Sequence, residues 1–156
     1  MQLRKRTLPP QSIADQPGWL SIEAIAEVAV SSEDPDWPID GALIPNSSRG
    51  WRAADPGAQT LRISFDTPQV LRLIHVDFEE SERERVQEFV LRYSSDGGLT
   101  FRPLIRQQFS FSPTGATRET ENYAVDLTGV TDLDLQVVPD VSGRPVVATL
   151  GAIRLR

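Results

Sequence analysis

Short runs of β-branched, aromatic and leucine residues recur along this chain, each bounded by Gly, Pro, Asp or Ser, while three-and-four helical spacing is almost absent. That pattern constrains the fold more than any other feature. The run Ile22 to Val30 could be helical by propensity, but Ile22, Ala24, Ala26, Val28 and Val30 fall on one face at period two, opposite Glu23 and Glu27. It is read as a strand. Further strands are predicted at Leu61 to Phe65, Val70 to Phe78, Phe89 to Ser94, Phe101 to Ile105, Tyr123 to Leu127, Leu133 to Val138 and Val146 to Leu155. Turn chemistry separates several of them: Asp66-Thr67-Pro68-Gln69, Ser95-Asp96-Gly97-Gly98, and Thr128, Gly129 and Asp132. Eight such segments predict an all-β sandwich or barrel.

The connections carry a second inference. If successive strands run antiparallel, their connections alternate between two poles of the body. The short turns near Pro68, Gly97 and Gly129 then share one pole. The long connections at 31–59, 79–88, 106–122 and 139–145 share the other. Long loops on a rigid frame are where binding residues concentrate, so the long-loop pole is the expected functional end. Residues 1–18, with Pro9, Pro10 and Pro17 and no period, read as an arm, and the folded unit is expected at 19–156. At 156 residues the chain is one domain, long enough to bury roughly 70% of its unfolded surface.

Composition then removes whole classes of function. With no cysteine, disulfides and thiolate sites are excluded, and one histidine, His75, cannot form an imidazole cluster. Sixteen basic against 22 acidic side chains give a net charge of −6, which repels polyanions, so neither nucleic acid nor an anionic membrane is an expected partner. The basic start MQLRKRTLPP runs into prolines rather than the apolar stretch of roughly 7 to 15 residues that a secretory signal needs. Nor is there a run of about 18 apolar residues. The absent cysteine fits a reducing cytoplasm or a bacterial surface protein; a cytoplasmic protein is the expectation.

Four pieces of sequence carry a resemblance: VAVSSE at Val28 to Glu33, IDG at Ile39 to Gly41 leading to GWRA at Gly50 to Ala53, YSSDGGLTF at Tyr93 to Phe101, and ATLGAIRL at Ala148 to Leu155. In order and spacing they resemble the discoidin, or coagulation-factor C-type, domains and the related galactose-binding-like carbohydrate-binding modules. The resemblance implies an eight-stranded jelly-roll sandwich that binds sugars, lipid headgroups or proteins without catalysis. GWRAADPGAQT, at Gly50 to Thr60, also resembles a stretch of the N-terminal domain of a eukaryotic single-strand-break repair scaffold with the same kind of fold. Many relatives hold a structural calcium through the Asp of the DG step, loop oxygens and an acidic residue in the last strand. Asp40 matches and is the candidate metal ligand here, but Ala42 and Ala152 stand where relatives offer oxygens. Calcium takes about six to eight oxygens, and two of the expected donors are missing. No other cofactor is implied.

Individual motifs divide between frame and ligand. Ser94, Asp96, Gly98, Thr100 and Phe101 match an Asp-box, whose aspartate caps the N–H groups of a tight hairpin, a structural role. Trp51 is expected in the core and Trp19 as the anchor of the arm, whereas Trp37, in the proline-bounded Asp34-Pro35-Asp36-Trp37-Pro38, suits either ligand stacking or local packing. The charged run Glu79-Glu80-Ser81-Glu82-Arg83-Glu84-Arg85 is either a solvated loop or a set of donors and acceptors for a neutral polar ligand. Asn46, Arg49, Arg118 and Arg144 belong to loops of the same pole. Catalysis has little support: His75 falls inside a strand, and the chain has no G-x-S-x-G elbow or phosphate-binding glycine loop. The leading expectation is a non-catalytic module that binds carbohydrate through Trp37, Asn46, Arg49, Glu80, Arg83, Arg85 and Arg144. The alternative is a cytoplasmic adaptor domain of the same fold that binds a protein.

Overall fold

The computed structural model describes residues 3–5, 18–45, 47 and 49–156. Most of the expected arm therefore lies outside the described residues. Along the chain come α1 (Ile22–Ile25), β1 (Ala26–Val30), α2 (Asp40–Leu43), β2 (Trp51–Pro56), β3 (Gln59–Glu79), β4 (Arg85–Ser94), β5 (Arg102–Phe111), β6 (Arg118–Val138), β7 (Val147–Leu150) and β8 (Ala152–Leu155). All pairings are antiparallel.

The frame is a two-stranded ribbon of β3 and β6 folded over on itself. The ribbon pairs from Gln59 opposite Val137 to Glu79 opposite Arg118, with irregular register between Ser64 and Leu73. Before that corner β3 also pairs with β1, and the facing part of β6 pairs with β4, which carries β5 on its other edge. Beyond the corner β3 pairs instead with β8. One ribbon thus contributes to both layers of a sandwich, and the paired β2 and β7 complete it. Leu61, Ile63 and Phe65 face the core before the corner, and Ile74, Val76 and Phe78 after it. The change from odd to even positions needs one extra residue, which the irregular register absorbs.

Asp66 to Gln69 and Thr128 to Gly129 are therefore bends within continuous strands rather than loops between strands. The three segments still lie together, since Gln69 pairs with Val130 and Gly97 N–H donates to Thr131 Oγ1 at 3.0 Å. Two other elements depart from expectation. Residues 22–25 are a helical turn, because Ala26 pairs with Phe65, the last partner before the corner; earlier residues have no strand to join and bond locally, as Ala24 N–H does to Ser21 O at 3.0 Å. β2 falls inside the stretch read as irregular, its strand character masked by Gly50, Pro56 and Gly57.

The core gathers Trp51, Leu61, Ile63, Leu71, Ile74, Val76, Phe78, Phe89, Leu91, Leu133, Leu135, Ile153 and Leu155 into one cluster. Trp51 is 2% exposed, and its indole N–H donates to Ser32 O at 3.0 Å. The long connections do converge on one pole. Glu80 N–H donates to Thr117 O, Val141 N–H to Val86 O, Gly57 N–H to Val146 O and Arg52 N–H to Trp37 O, at 2.8 to 3.1 Å.

At the opposite pole the Asp-box folds as its residues demand. Asp96 accepts from Thr100 N–H at 2.9 Å and the Thr100 hydroxyl at 2.5 Å, and Ser94 Oγ accepts from Gly98 N–H at 3.0 Å. Gly97 and Gly98 take φ of 74° and 86°, the left-handed region a tight hairpin requires. The Ser94 hydroxyl, which donates to Asp96 Oδ1 at 2.6 Å, and the two Thr100 donors hold the Asp96 carboxyl down at about 2. His75 is 2% exposed, its Nδ1 2.7 Å from Asn122 Oδ1 and its ring beside that of Trp19.

Candidate functional site

The site at the long-loop pole begins with a buried cation. Arg85, at the start of β4, is only 1% exposed. Its Nε donates to Glu80 Oε1 at 2.8 Å, and one Nη donates to Gln87 Oε1 at 3.0 Å and Pro139 O at 2.8 Å. The guanidinium also lies 4.7 Å from the centre of the Phe111 ring. Arg85 thus ties three connections together from beneath, and its donors are not presented to solvent. That placement departs from its expected role as a ligand contact. A charge at the first position of an inward-facing alternation is buried when loops close over it, and tertiary closure is not visible in the sequence.

Above this rivet, Glu80, Glu82, Arg83 and Arg52 join Pro145, Val146, Val147 and Thr149 around a cleft of about 280 Å³. Next to it, a hollow of about 320 Å³ shares Arg83 and Val146 and adds Glu84 and Arg144. The two form one groove between the 80–84 loop and the 139–146 loop. Glu80 is committed on one oxygen to Arg85, and its other oxygen accepts from Glu82 N–H at 3.2 Å. Arg144 is held by Asp140 Oδ2 at 2.5 Å and donates to Glu84 O at 2.7 Å. Asp140 is kept below the usual carboxylate range by the backbone N–H and hydroxyl of Ser142 and by Arg144. The Arg83 side chain and the Glu82 carboxylate make no hydrogen bond or ion pair among the described residues, so both are free to meet a ligand.

Trp37 is half-buried at the rim. The guanidinium carbons of Arg49 and Arg52 lie 5.0 Å and 4.7 Å from its ring centre. Arg49 also donates to Asp36 O at 3.1 Å. The ring therefore already packs against two arginines, one of which, Arg52, lines the cleft. The structure therefore brings Glu80, Arg83 and Arg144 together, sets Trp37 and Arg49 beside them through Arg52, and places Arg85 underneath. Asn46 lies outside the described residues. Arg118 turns to Asp77 with two bonds of 2.8 Å and takes no part in the groove. Arg52 and Thr149 are the groove residues that sequence reasoning missed. The GWRA motif contained Arg52, but only the β2–β7 pairing, with Arg52 opposite Thr149, shows that the two share a wall.

The Asp40 carboxylate is exposed at the start of α2. Among the described residues, no three of His, Asp and Glu gather closely enough to hold a metal ion. Ala42 and Ala152 offer no side-chain oxygen, and the Ala42 carbonyl is already taken by Arg154 at 2.8 Å. The donor set does not fit a calcium site of the kind the resemblance implies.

The F5/8 type C domain model matches residues 27–136, from β1 nearly to the end of β6. The chain belongs to the F5/8 type C domain family. No curated protein matches it. Among solved structures, this F5/8 type C domain is similar to the family 32 carbohydrate-binding module of NanJ from Clostridium perfringens in complex with galactose: TM-score 0.63 and 10% identity, over 88% of this chain and 96% of that one. It is also similar to the module CpGH89CBM32-5 of the same organism in complex with GalNAc-β-1,3-galactose, at TM-score 0.63 and 14% identity over 88% and 99% of the two chains. A pectin-binding carbohydrate-binding module matches at TM-score 0.61 and 20% identity, over 85% of this chain and 90% of that one. At such identities the likeness establishes the jelly-roll sandwich of this F5/8 type C domain.

Proposed function

We propose that this domain is a non-catalytic carbohydrate-binding module that takes its ligand in the groove between the 80–84 and 139–146 loops. The observation that carries the reading is the lining of that groove, where Arg83 and Glu82, unpaired among the described residues, stand with the partnered Glu80 and Arg144 and the apolar Pro145, Val146 and Val147. Sugar hydroxyls both donate and accept, so a wall that mixes carboxylates and guanidiniums suits a glycan better than a single-sign anion or cation. Arg85 holds the loops in place before the ligand arrives, which lowers the ordering cost of binding. The similarity to modules solved with galactose and with GalNAc-β-1,3-galactose supports the same class of ligand. The open, shallow groove implies weak affinity.

A glycan array, followed by isothermal titration with D-galactose and with any stronger hit, tests this. Arg83→Ala is expected to weaken binding by about 10- to 100-fold, the loss of one hydrogen bond to a charged group. A blank array together with a protein partner captured through the same groove would reject the carbohydrate reading in favour of the adaptor.

A further inference from the structure

We propose that Arg154 takes the place of the structural calcium that the resemblance implies, clamping the α2 loop to the last strand with a built-in positive charge. Arg154 sits in β8 between the core residues Ile153 and Leu155 and points away from that core, yet it is only 8% exposed because the α2 loop covers it. One Nη donates to Ala42 O at 2.8 Å and to Ile153 O at 3.0 Å. Ala42 belongs to a four-residue helix, too short to satisfy its last carbonyls internally, so its C=O needs an outside donor. The strand supplies one. Burial lowers the pKa of the guanidinium, and the negative charges of Glu23 of α1 and Asp77 of β3 counter part of that desolvation.

The loop is shaped for this close approach. A Cβ at Gly41 would lie 2.0 Å from Arg49 O, so glycine lets the two arms of the loop meet directly over β8. A calcium ion needs about six to eight oxygens and would meet here a fixed guanidinium already bound to a loop carbonyl. Two cations competing for one carbonyl repel each other, so the arginine and the metal are alternatives. The consequence is a module whose folding is independent of divalent cations.

Thermal unfolding of the full chain in EDTA and in millimolar CaCl2 tests this, together with Arg154→Gln and Arg154→Lys. The wild-type midpoint is expected to be the same in both buffers. Arg154→Gln is expected to melt roughly 5 to 10 °C lower, and Arg154→Lys between the two, from the loss of charge-assisted bonds to carbonyls. A wild-type midpoint that rises by several degrees in calcium would overturn the proposal. So would an Arg154→Gln protein that melts with the wild type. If Arg154→Gln does not fold, the calcium response of the wild type and the midpoint of Arg154→Lys decide.

Discussion

Two acidic residues near opposite poles show how neighbours set a carboxylate's worth. Asp96 is held at about 2 by hydroxyl and backbone donors, whereas burial pushes Glu119 up to about 7, with Glu121 adding repulsion. Glu119 is 1% exposed and its Oε2 has no partner among the described residues, so the desolvation cost of charging it outweighs the Gln87 hydrogen bond to Oε1 and the attraction of Arg85. The signs are opposite. The stability Asp96 contributes is complete above its ordinary 3.8 and drains away as pH falls toward about 2. Glu119 favours the fold while protonated, so stability declines as pH rises from its ordinary 4.5 through about 7. Glu119→Gln should therefore melt higher than the wild type at pH 8, by on the order of 3 kcal/mol of stability, with the advantage vanishing near pH 4. Midpoints measured across that range check it. Asp96→Ala should expose the Thr100 amide to fast hydrogen exchange while β3 amides stay protected. The Asp96 role was legible because its bonds are all within a few residues. That of Glu119 was not, because its burial comes from facing Gln87 of β4 across the sandwich, a pairing that local alternation does not reveal.

At the scale of elements, the strand-forming segments were legible wherever the alternation was their own, as in β4 and in each half of β3. What could not be read was continuity across a bend. The composition of Asp66 to Gln69 is that of a turn, yet the ribbon stays hydrogen-bonded around the corner because β6 bends with it, opposite Thr128 and Gly129. β2 depends on close packing: a Cβ at Gly50 would lie 2.3 Å from Leu150 O, where the β2–β7 pair begins. Gly50→Ala should push these strands apart and cost about 2 kcal/mol or more in urea unfolding. Arg85→Ala leaves Glu80, Gln87 and the Pro139 carbonyl without their donor, and about 3 to 5 kcal/mol of destabilisation is expected in the same assay. On the outer face, Asp134 is fully buried between Arg62, bonded at 2.8 and 2.9 Å, and Arg92 at 3.0 Å, with Phe101 beneath both guanidiniums. That cluster locks the order of β3, β6 and β4.

At the scale of the whole molecule, the gathering of the long loops at one pole follows from the lengths of the connections and needs no side-chain detail. The groove within it was only partly legible. Glu80, Arg83 and Arg144 belong to loops that any antiparallel arrangement brings together, but the depth at which each settles depends on loop closure, which buried Arg85 and drew Trp37 under two arginines. The most direct test of the central claim is a ¹H–¹⁵N titration of the full chain with the saccharide that binds most strongly on the array. Shifts confined to Arg52, residues 80–84 and residues 144–149 are predicted. Shifts gathered instead around the 95–101 hairpin would contradict the account.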